Sequence, residues 1–385
     1  MYDIIDELID RNKFTNTIVK KTSFLEKNLK KNKIVIYGAG FAGIMTYKSF
    51  LKIGIEPICF ADNNKYGNII ENKSIIKPED IYREYGDVYI IVSMYVKGKI
   101  FEDIKNMLKL YGNENIVHIF ELRECAQLMN SHPFPLYINI NELLKNKDKY
   151  NKVYSLLEDE NSKEIYISLL EFISYNYDTK IKSKSVKEQY LAYDIYSKIE
   201  NEVFVDCGAF VGEVLDEFTV RVNGFFKEYI AYEPDIDNFR VLSKKIKTKY
   251  KYDNIKLYNL AVGDKFEMLK FENFGGSNAI ISDNGTCLTK CVAIDEHLEV
   301  LPTLIKIDVE GYDKQVLYGA KETIKKYMPV IAVSIYHHVD DLWEIPLWIK
   351  DNFPDYKLYI RSYMNYMETV CYAVPPNRII NRRKS

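Results

Sequence analysis

The stretch "VFVDCGAFVG", residues 203–212, joins an apolar run to a glycine turn. The apolar residues at its start predict a buried strand that ends in the acid Asp206. Gly208, Ala209 and Gly212 follow, and glycines in such a turn let the backbone approach a ligand closely. An acid and a glycine turn at a strand end are typical of a nucleotide-type site, with Asp206 as charge partner for a cationic group of the ligand.

Two further strand ends carry matching signals. "EYIAYEP" (228–234) ends with Glu233 and Pro234, and a glutamate there can accept hydrogen bonds from both hydroxyls of a ribose. "NLAVGD" (259–264) places Ala261 and Val262 at the end of the next strand, where the base of a nucleoside would lie. Ligands of doubly wound sheets bind at the carboxyl ends of the strands, so the three signals together predict a nucleoside-type ligand. The alternative is that Asp206 and Glu233 only cap helices.

The order of apolar runs predicts an α/β fold with a doubly wound parallel sheet and a terminal antiparallel hairpin. Helical patterns separate several of the predicted strands, and the last two runs lie close together in the chain. The predicted strands are "EVFVDC" (202–207), "EYIAYEP" (228–234), "IKLYNLAVG" (255–263), "TLIKIDVEG" (303–311), "VIAVSIYHH" (330–338), and the pair "YKLYIR" (356–361) and "TVCYAV" (369–374).

Residues from about 185 to 376 resemble the FkbM-type methyltransferases in the order and spacing of their motifs. The motifs that carry the resemblance are "EQYLAYDIY", "VFVDCGAFVG", "AYEPDIDNF", "LIKIDVEGYDKQVLYGAKETI", "SIYHHVDDLWEIP" and "YIRSYMNYMETVCYAVP". The resemblance implies a class I methyltransferase fold, S-adenosylmethionine as donor and a hydroxyl acceptor on a sugar or glycoside. It also implies that Asp206, Gly208 and Glu233 hold the cofactor.

Methyl transfer to a hydroxyl benefits from a group that removes the proton of the acceptor. Asp308 ends the fourth predicted strand, beside the expected position of the methyl group, and His337 ends the fifth. Histidine titrates near neutral pH, so we predict His337 as the general base, with Asp308 orienting it, accepting the proton itself or contacting the cofactor. The alternatives are a structural role for His337, or a divalent metal site of Asp308, Glu310 and His337. We expect no bound metal.

Candidate substrate contacts lie in two places. Arg361 and Glu368 flank the terminal hairpin and match the pattern of the family there, either for acceptor recognition or as a structural ion pair. Ser277 and Asn278 follow a glycine pair in "FGGSNAII" (274–281), which predicts a loop facing the substrate or a simple turn.

A second glycine turn lies near the start of the chain. "NKIVIYGAGFAG" (32–43) follows a strand pattern with Gly38, Gly40 and Gly43, and Asp62 ends the next predicted strand in the position of a ribose ligand. This part also resembles a small Rossmann-like module of sugar-modifying proteins, which leaves NAD, a nucleotide sugar or no ligand open. Tyr95 and Lys99 have the spacing of a catalytic pair, so one alternative function is an NAD-dependent sugar oxidoreductase. Another is a non-catalytic nucleotide-binding scaffold.

The chain divides into five predicted segments. They are N-terminal helices (1–30), a Rossmann-like module (31–122), a helical bridge (123–200), a methyltransferase domain (201–376) and a basic tail (377–385). Within the bridge, "EQYLAYDIYSKI" (188–199) predicts a helix.

Composition narrows the class of protein. The net charge of −2 provides no basic excess for nucleic acid, and no apolar run approaches the roughly 20 residues of a membrane span. The six cysteines show no zinc-ligand spacing and fit a reducing compartment. We therefore expect a cytoplasmic methyltransferase with a sugar or glycan acceptor and no nucleic-acid or membrane partner. Homo-oligomerisation is left open.

Overall fold

The computed structural model describes residues 3–11, 27–94, 99–122, 140–174, 182–250, 253–273, 279–281, 287–363 and 368–380. The chain forms two compact units, residues 1–147 with 170–179, and residues 148–169 with 180–385. The five predicted segments stay a prediction. Within the described ranges, no helix combines the length and apolar character needed to cross a bilayer.

A six-stranded sheet forms the centre of the first unit. All neighbouring strands are parallel except β3 and β4, and the spatial order is β3-β4-β2-β1-β5-β6. The strands are β1 (Ile34–Tyr37), β2 (Cys59–Ala61), β3 (Ile69–Ile70), β4 (Lys73–Ile76), β5 (Tyr89–Val92) and β6 (Asn115–His118). The α-helices that lie wholly in this unit are Ile4–Arg11, Phe41–Lys52, Ile81–Tyr85, Lys99–Leu110 and Ile140–Lys145.

The residues of β1 explain why its sheet is covered on both faces. Ile34 and Ile36 belong to one apolar cluster, while Val35 and Tyr37 belong to another. Successive side chains of a strand point to opposite faces, so a continuous apolar run buries both.

The glycine turn after β1 is shaped by packing. A Cβ atom on Gly43 would lie 1.8 Å from the carbonyl oxygen of Gly38, so only glycine lets the helix Phe41–Lys52 begin this close to the strand. Asp62, after β2, accepts a hydrogen bond at Oδ2 from the amide of Ala39 at 2.9 Å. The turn is therefore held by contacts within its own unit.

The second unit contains a sheet of eight strands and another of four. Their spatial orders are β10-β9-β8-β15-β16-β18-β17-β7 and β11-β14-β12-β13. The strands are β7 (Ser183–Lys184), β8 (Val203–Cys207), β9 (Glu228–Tyr232), β10 (Ile255–Tyr258), β11 (Ala261–Gly263), β12 (Glu267–Asn273), β13 (Ala279–Ile281), β14 (Cys287–Ala293), β15 (Leu304–Ile307), β16 (Val330–Ser334), β17 (Lys357–Tyr363) and β18 (Glu368–Val374).

The topology of the larger sheet confirms the predicted fold class. From the centre of the sheet, β8, β9 and β10 follow one another toward one edge, and β15 and β16 follow one another toward the other. All five strands are parallel. The hairpin of β17 and β18 is antiparallel and pairs with β16 through β18. The order of the strands reverses between β8 and β15, which is where a doubly wound sheet opens a ligand crevice.

Among the described residues, eight α-helices contribute to this unit. They are Lys147–Leu156, Glu160–Ser174, Glu213–Arg221, Ile236–Lys245, Ile294–His297, Asp313–Tyr318, Lys321–Tyr327 and Asp341–Asn352. The first two also contribute residues to the other unit, Lys147 and residues 170–174.

The single strand predicted over 255–263 is wrong. Strand β10 ends at Tyr258, and β11 begins at Ala261 in the other sheet. Between them, the side chain of Asn259 donates to the carbonyls of Glu233 and Pro234, at 2.9 and 3.0 Å. These bonds hold the chain at the end of β9 while it changes sheets.

The helix predicted over 188–199 is also wrong. The described segment contains a short 3₁₀ helix, Val186–Glu188, followed by turns. The guanidinium of Arg221 donates to the carbonyls of Leu191 and Tyr196, so these groups are not paired as in a helix. The bridge also contains the two-residue strand β7, which was not predicted because it is too short to show a period of two.

We predict that Gly43→Ala destabilises the first unit, because its new Cβ atom would overlap the Gly38 carbonyl. Overpacking of this kind costs about 1–3 kcal/mol, which would speed opening-limited hydrogen exchange of the β1 amides by about 5-fold to 150-fold. The matched control is Gly40→Ser, where a Cβ atom has nothing within 4 Å and serine suits a helix N-cap. Equal exchange in both variants would contradict the packing role of Gly43.

Candidate active site

A cavity of about 520 Å³ opens at the carboxyl ends of β8, β9 and β15. Its volume is in the range of small-molecule sites. Among its lining residues are eight that the sequence analysis predicted as ligand or substrate contacts: Gly208, Ala209, Glu233, Pro234, Ala261, Val262, Asp308 and Glu368. The structure therefore brings together residues from five separate stretches of the chain.

The glycine turn after β8 packs against the end of β15. A Cβ atom on Gly208 would lie 1.9 Å from the carbonyl oxygen of Asp308, and the φ of Gly208 is +84°. The amides of Gly208 and Ala209 both donate to the carbonyl of Tyr232 at 3.0 Å. The turn is thus fixed between β9 and β15, and its backbone forms part of the cavity wall.

Glu233 holds the same turn from the end of β9. Its Oε2 accepts from the amide of Phe210 at 2.8 Å and its Oε1 from the amide of Asp235 at 2.9 Å. Burial raises the pKa of Glu233, although these amides and Lys306 oppose the shift. A buried carboxylate at the cavity wall is a strong acceptor for the hydroxyls of a ligand.

Asp206 does not reach the cavity. It is fully buried, and its Oδ1 lies 3.0 Å from Nζ of Lys306, while the hydroxyl of Tyr229 donates to Oδ2. The expected contact of Asp206 with the ligand is therefore corrected to a contact with Lys306, its register partner on β15.

Of this register pair, Lys306 lines the cavity and Asp206 does not. Burial disfavours its charged form, but the charges of Asp206 and Asp308 outweigh this and raise the pKa of Lys306. Its ammonium also donates to the carbonyl of Gly208. Sequence reasoning missed it, although a lysine within the apolar run of β15 is itself an unusual feature.

Asp308 follows β15 and is held by two tyrosines. The hydroxyl of Tyr190 donates to Oδ2 at 2.8 Å, and that of Tyr336 to Oδ1 at 3.0 Å. Burial alone would raise the pKa of Asp308, but the charges of Lys306 and His337 lower it below its usual range. Asp308 is therefore ionised at neutral pH.

Two more carboxylates line the cavity near Asp308. Burial, together with the neighbouring carboxylates and against the charge of His337, raises the pKa of Glu310 to about 8. Burial and the charge of Asp308 raise the pKa of Glu368 to about 6, and Oε2 of Glu368 accepts from the side chain of Gln189 at 2.7 Å. The site therefore holds more carboxyl groups than basic side chains, and this excess disfavours the ionised forms of Glu310 and Glu368.

His337 lies in the loop after β16 and does not end a strand. Strand β16 stops at Ser334, and the imidazole is only 8% exposed. Its Nδ1 lies 2.7 Å from Oδ2 of Asp313. Burial disfavours the charged imidazolium, but the charges of Asp313, Asp308 and Glu310 raise the pKa of His337 to about 10.

This pKa corrects the predicted role of His337 as a general base that titrates near neutral pH. A histidine with a pKa of about 10 already carries its proton at pH 7 and has no lone pair to accept another. His337 also does not line the cavity, whereas Asp308, Glu310 and Glu368 do.

Three non-glycine residues of the cavity wall have left-handed backbones. Tyr190, Phe210 and Glu310 have φ values of 63°, 48° and 52°. Such strain persists only where surrounding contacts enforce it, and it clusters at functional sites. Tyr190 and Glu310 also present polar groups to the site, and only Glu310 was considered from the sequence.

The remaining predicted contacts lie elsewhere. Arg361 is buried and bonds Asp159 and Asp194 at 2.6 and 2.8 Å, which favours the structural ion pair over acceptor recognition. Gly212 has a φ of +79° and its carbonyl accepts from Lys245, outside the cavity lining. Ser277, Asn278 and Tyr95 lie outside the described residues.

Asp62, the predicted ribose ligand of the first unit, accepts hydrogen bonds from backbone amides at the glycine turn and at its own turn. Besides Ala39, the amides of Asn64 and Lys65 donate to Oδ1 of Asp62, at 2.9 and 3.2 Å. Burial raises the pKa of Asp62, but these amides outweigh it and lower the value. Its role as a ribose ligand with Gly38, Gly40 and Gly43 stays a prediction.

Residues 206–367 match the family model of the methyltransferase FkbM domain. Over these residues the chain is similar to FkbM methyltransferase domains. The family resemblance inferred from the sequence motifs is thereby confirmed, and the match covers the cavity-lining residues from Gly208 to Tyr336. The resemblance of the first glycine turn to modules of sugar-modifying proteins stays a prediction.

Solved structures show that the methyltransferase domain shares its fold with an FkbM protein. The chain is similar to the methyltransferase FkbM from Methylobacillus flagellatus KT, with 19% identity and a TM-score of 0.69 over 94% of this chain and 99% of that chain. It is more distantly similar to an rRNA methylase from Streptococcus thermophilus, with 10% identity and a TM-score of 0.32 over 48% of this chain and 92% of that chain. No curated protein matches the chain.

We predict that Lys306→Met destabilises the second unit by about 3–5 kcal/mol, because it leaves the Asp206 carboxylate buried and unpaired. Adding Asp206→Asn should recover at least about 1 kcal/mol. Urea unfolding followed by tryptophan fluorescence measures both, since the two tryptophans, Trp343 and Trp348, lie in this unit.

The matched control for this experiment is Lys265→Met, an exposed lysine 3.7 Å from Glu267, which should change stability by no more than about 0.5 kcal/mol. A loss at Lys306 no larger than at Lys265 would show that the buried pair does not stabilise the sheet.

Proposed function

We propose that the protein transfers the methyl group of S-adenosylmethionine to a hydroxyl of a sugar or glycan. The observation that carries this proposal is a group of interacting carboxyl groups that line the cavity together with Glu233, namely Asp308, Glu310 and Glu368. The family match supports S-adenosylmethionine-dependent methyl transfer. The capacity of these carboxyl groups to bind several hydroxyls is the basis for proposing a sugar acceptor.

The donor fits the other walls of the cavity in a defined direction. Glu233 would accept the ribose hydroxyls, and Ala261 and Val262 would contact the adenine. Lys306, with the glycine turn, would face the methionine carboxylate of the donor, a role that a buried ammonium suits. This arrangement turns the sulfonium methyl group toward the end of β15.

The acceptor would then lie against the carboxylates. Carboxylate oxygens, the amide of Gln189 and the hydroxyls of Tyr190 and Tyr336 are groups that hydrogen-bond the several hydroxyls of a sugar. In-line attack requires the acceptor oxygen about 3 Å from the methyl carbon and opposite sulfur, so these contacts would supply positioning.

We assign Glu368 as the group that accepts the proton of the acceptor hydroxyl. This carboxylate lines the cavity, is oriented by Gln189, and faces Asp308, Tyr336 and His337. During transfer the new carbon–oxygen bond forms as the carbon–sulfur bond breaks, its electron pair stays on sulfur, and the hydroxyl proton passes to Glu368.

The first unit does not enter this proposal. The carboxylate of Asp62 accepts hydrogen bonds from Ala39 in the glycine turn and from two amides of its own turn, and no observation on the described residues favours NAD or a nucleotide sugar there. The oxidoreductase and the scaffold are therefore not carried further.

We also propose a cytoplasmic location. Cys59, Cys207, Cys291 and Cys371 are buried free thiols. Reduced cysteines are the usual state in a reducing compartment such as the cytoplasm.

For the donor, we predict that Glu233→Ala weakens binding of S-adenosylmethionine by about 10-fold to 150-fold, because the ribose hydroxyls lose a charged acceptor. Calorimetric titration of the full chain measures it. The control is Glu228→Ala, a mostly buried glutamate at the start of the same strand, paired with Lys256 at 2.6 Å. Equal affinity in the two variants would place the donor elsewhere.

The acceptor is tested by release of S-adenosylhomocysteine with a panel of sugars, glycosides, catechols, amines and carboxylic acids. Turnover with sugars or glycosides is the expected result. Turnover restricted to another class would overturn the acceptor while leaving methyl transfer intact.

In the same assay we predict that Glu368→Gln lowers kcat by about 100-fold or more with little change in donor affinity. A base must be ionised to act, so the rate of the parent should rise with pH through about 6 and then level off. That rise should disappear in the variant. A variant that keeps both full kcat and the rise would exclude Glu368 as the proton acceptor.

A further inference from the structure

One ring nitrogen of His337 is buried without a hydrogen-bond partner. Nδ1 is bonded to Asp313, but Nε2 has no partner although the side chain is only 8% exposed. Buried polar atoms are almost always satisfied, so an unpaired nitrogen beside a ligand cavity requires an explanation.

The atoms nearest to Nε2 are carboxylate oxygens at distances too long for hydrogen bonds. Oδ1 of Asp308 lies 3.5 Å away and Oε2 of Glu310 lies 3.8 Å away. Two ligands that each lie 2.0–2.2 Å from a shared ion are about 3.0–3.5 Å apart, so these separations approach those of a coordination shell.

Further hydrogen bonds fix the orientation of His337 and Asp308. Asp313 receives the ring at Nδ1, and the amides of Val309 and Gly311 donate to the Asp313 carboxylate at 3.2 Å. A carboxylate that binds one nitrogen of an imidazole leaves the other free to ligate and fixes its direction. Tyr190 and Tyr336 hold Asp308 in the same way.

The charge of the neighbourhood points in the same direction. Four carboxyl groups interact with only two basic side chains here. The carboxyl groups are those of Asp308, Glu310, Asp313 and Glu368, and the basic side chains are Lys306 and His337. Side-chain oxygen or nitrogen atoms of Asp308, Asp313 and His337 lie within 4.8 Å of one another, and Oε2 of Glu310 adds a further carboxylate oxygen 3.8 Å from Nε2 of His337.

We propose that a divalent cation displaces the Nε2 proton of His337 to solvent and is bound at the wall of the cavity by that nitrogen, a carboxylate oxygen of Asp308 and one of Glu310. One imidazole with two carboxylates suits a cation such as Mn²⁺, which accepts both nitrogen and oxygen ligands. The open positions of the ion would face the cavity, because Asp308 and Glu310 line it.

The role of this cation rests on the proposed methyl transfer. An acceptor hydroxyl bound to the ion is more acidic than a free one, so its proton passes more easily to Glu368 while the methyl group moves to oxygen. The cation would also select acceptors that present two neighbouring oxygens, as sugars do.

Binding of Mn²⁺ to the full chain, dialysed against a chelator and then freed of it, tests the site directly. The EPR signal of free Mn²⁺ should disappear up to one equivalent per chain. His337→Gln and Glu310→Gln should each weaken binding by at least 10-fold, and Asp313→Asn, which acts through the ring, by about 10-fold to 100-fold.

The matched control is His338→Gln. This neighbouring histidine is 58% exposed and bonds Asp341 instead, so its loss should leave Mn²⁺ affinity unchanged. Calorimetric titration with S-adenosylmethionine shows that each variant is folded. If His337→Gln fails to bind the donor, Glu310→Gln and Asp313→Asn decide the result.

The two proposals can fail separately. Absence of stoichiometric binding, or equal affinity in the parent and all ligand variants, would overturn the cation site. Full methyl transfer in the presence of a chelator would overturn its role in the reaction and leave the function standing. Stoichiometric, variant-sensitive Mn²⁺ binding without turnover on any sugar would support the site and overturn the acceptor.

Discussion

The buried ion pair of Lys306 and Asp206 is the interaction on which the site depends. The two residues are register partners on β15 and β8, the strands between which the order of the sheet reverses. An unpaired ammonium inside a sheet would cost several kcal/mol, so the pairing decides where the side chain of Lys306 can lie. The same ammonium bonds the carbonyl of Gly208 and thereby connects the sheet to the glycine turn.

From this pair, charge alternates across the site. Asp206 holds Lys306, Lys306 and His337 keep Asp308 ionised, and the surplus of carboxylates raises the pKa of Glu310 and Glu368. Cationic Lys306 and the carboxyl groups of Asp308 and Glu310 therefore line the cavity within a few residues of one strand end, so the charge changes sign there. Such a gradient suits a donor with a carboxylate at one end and an acceptor that must lose a proton at the other.

Much of the fold could be predicted from the sequence because its central strands are buried on both faces. The apolar runs of β8, β9, β15 and β16 carry that constraint, and the predicted methyltransferase sheet follows from their order. The segment 188–199 could not be predicted, because Arg221, far along the chain, bonds its carbonyls. Tertiary contacts of this kind override local propensity.

At the site, the sequence located the strand ends but not the direction of the side chains. Asp206 lies within β8, level with Lys306, and is fully buried, whereas Asp308 follows β15 and lines the cavity. Likewise, histidine was expected to titrate near neutral pH because its surroundings were unknown. The three carboxylates around His337 come from a loop and a helix whose approach the local sequence does not reveal.

The two glycine turns show why a fingerprint does not by itself define a function. Gly43 and Gly208 meet the same steric demand, since a Cβ atom on either would lie within 2.0 Å of a backbone carbonyl oxygen. The difference is in the acid that follows the next strand. Both acids accept a hydrogen bond from an amide of the glycine turn, but Glu233 also lines a cavity shared with Lys306 and Asp308. Glycines permit close packing in both units, and the charged groups around the second turn are what can recognise a ligand.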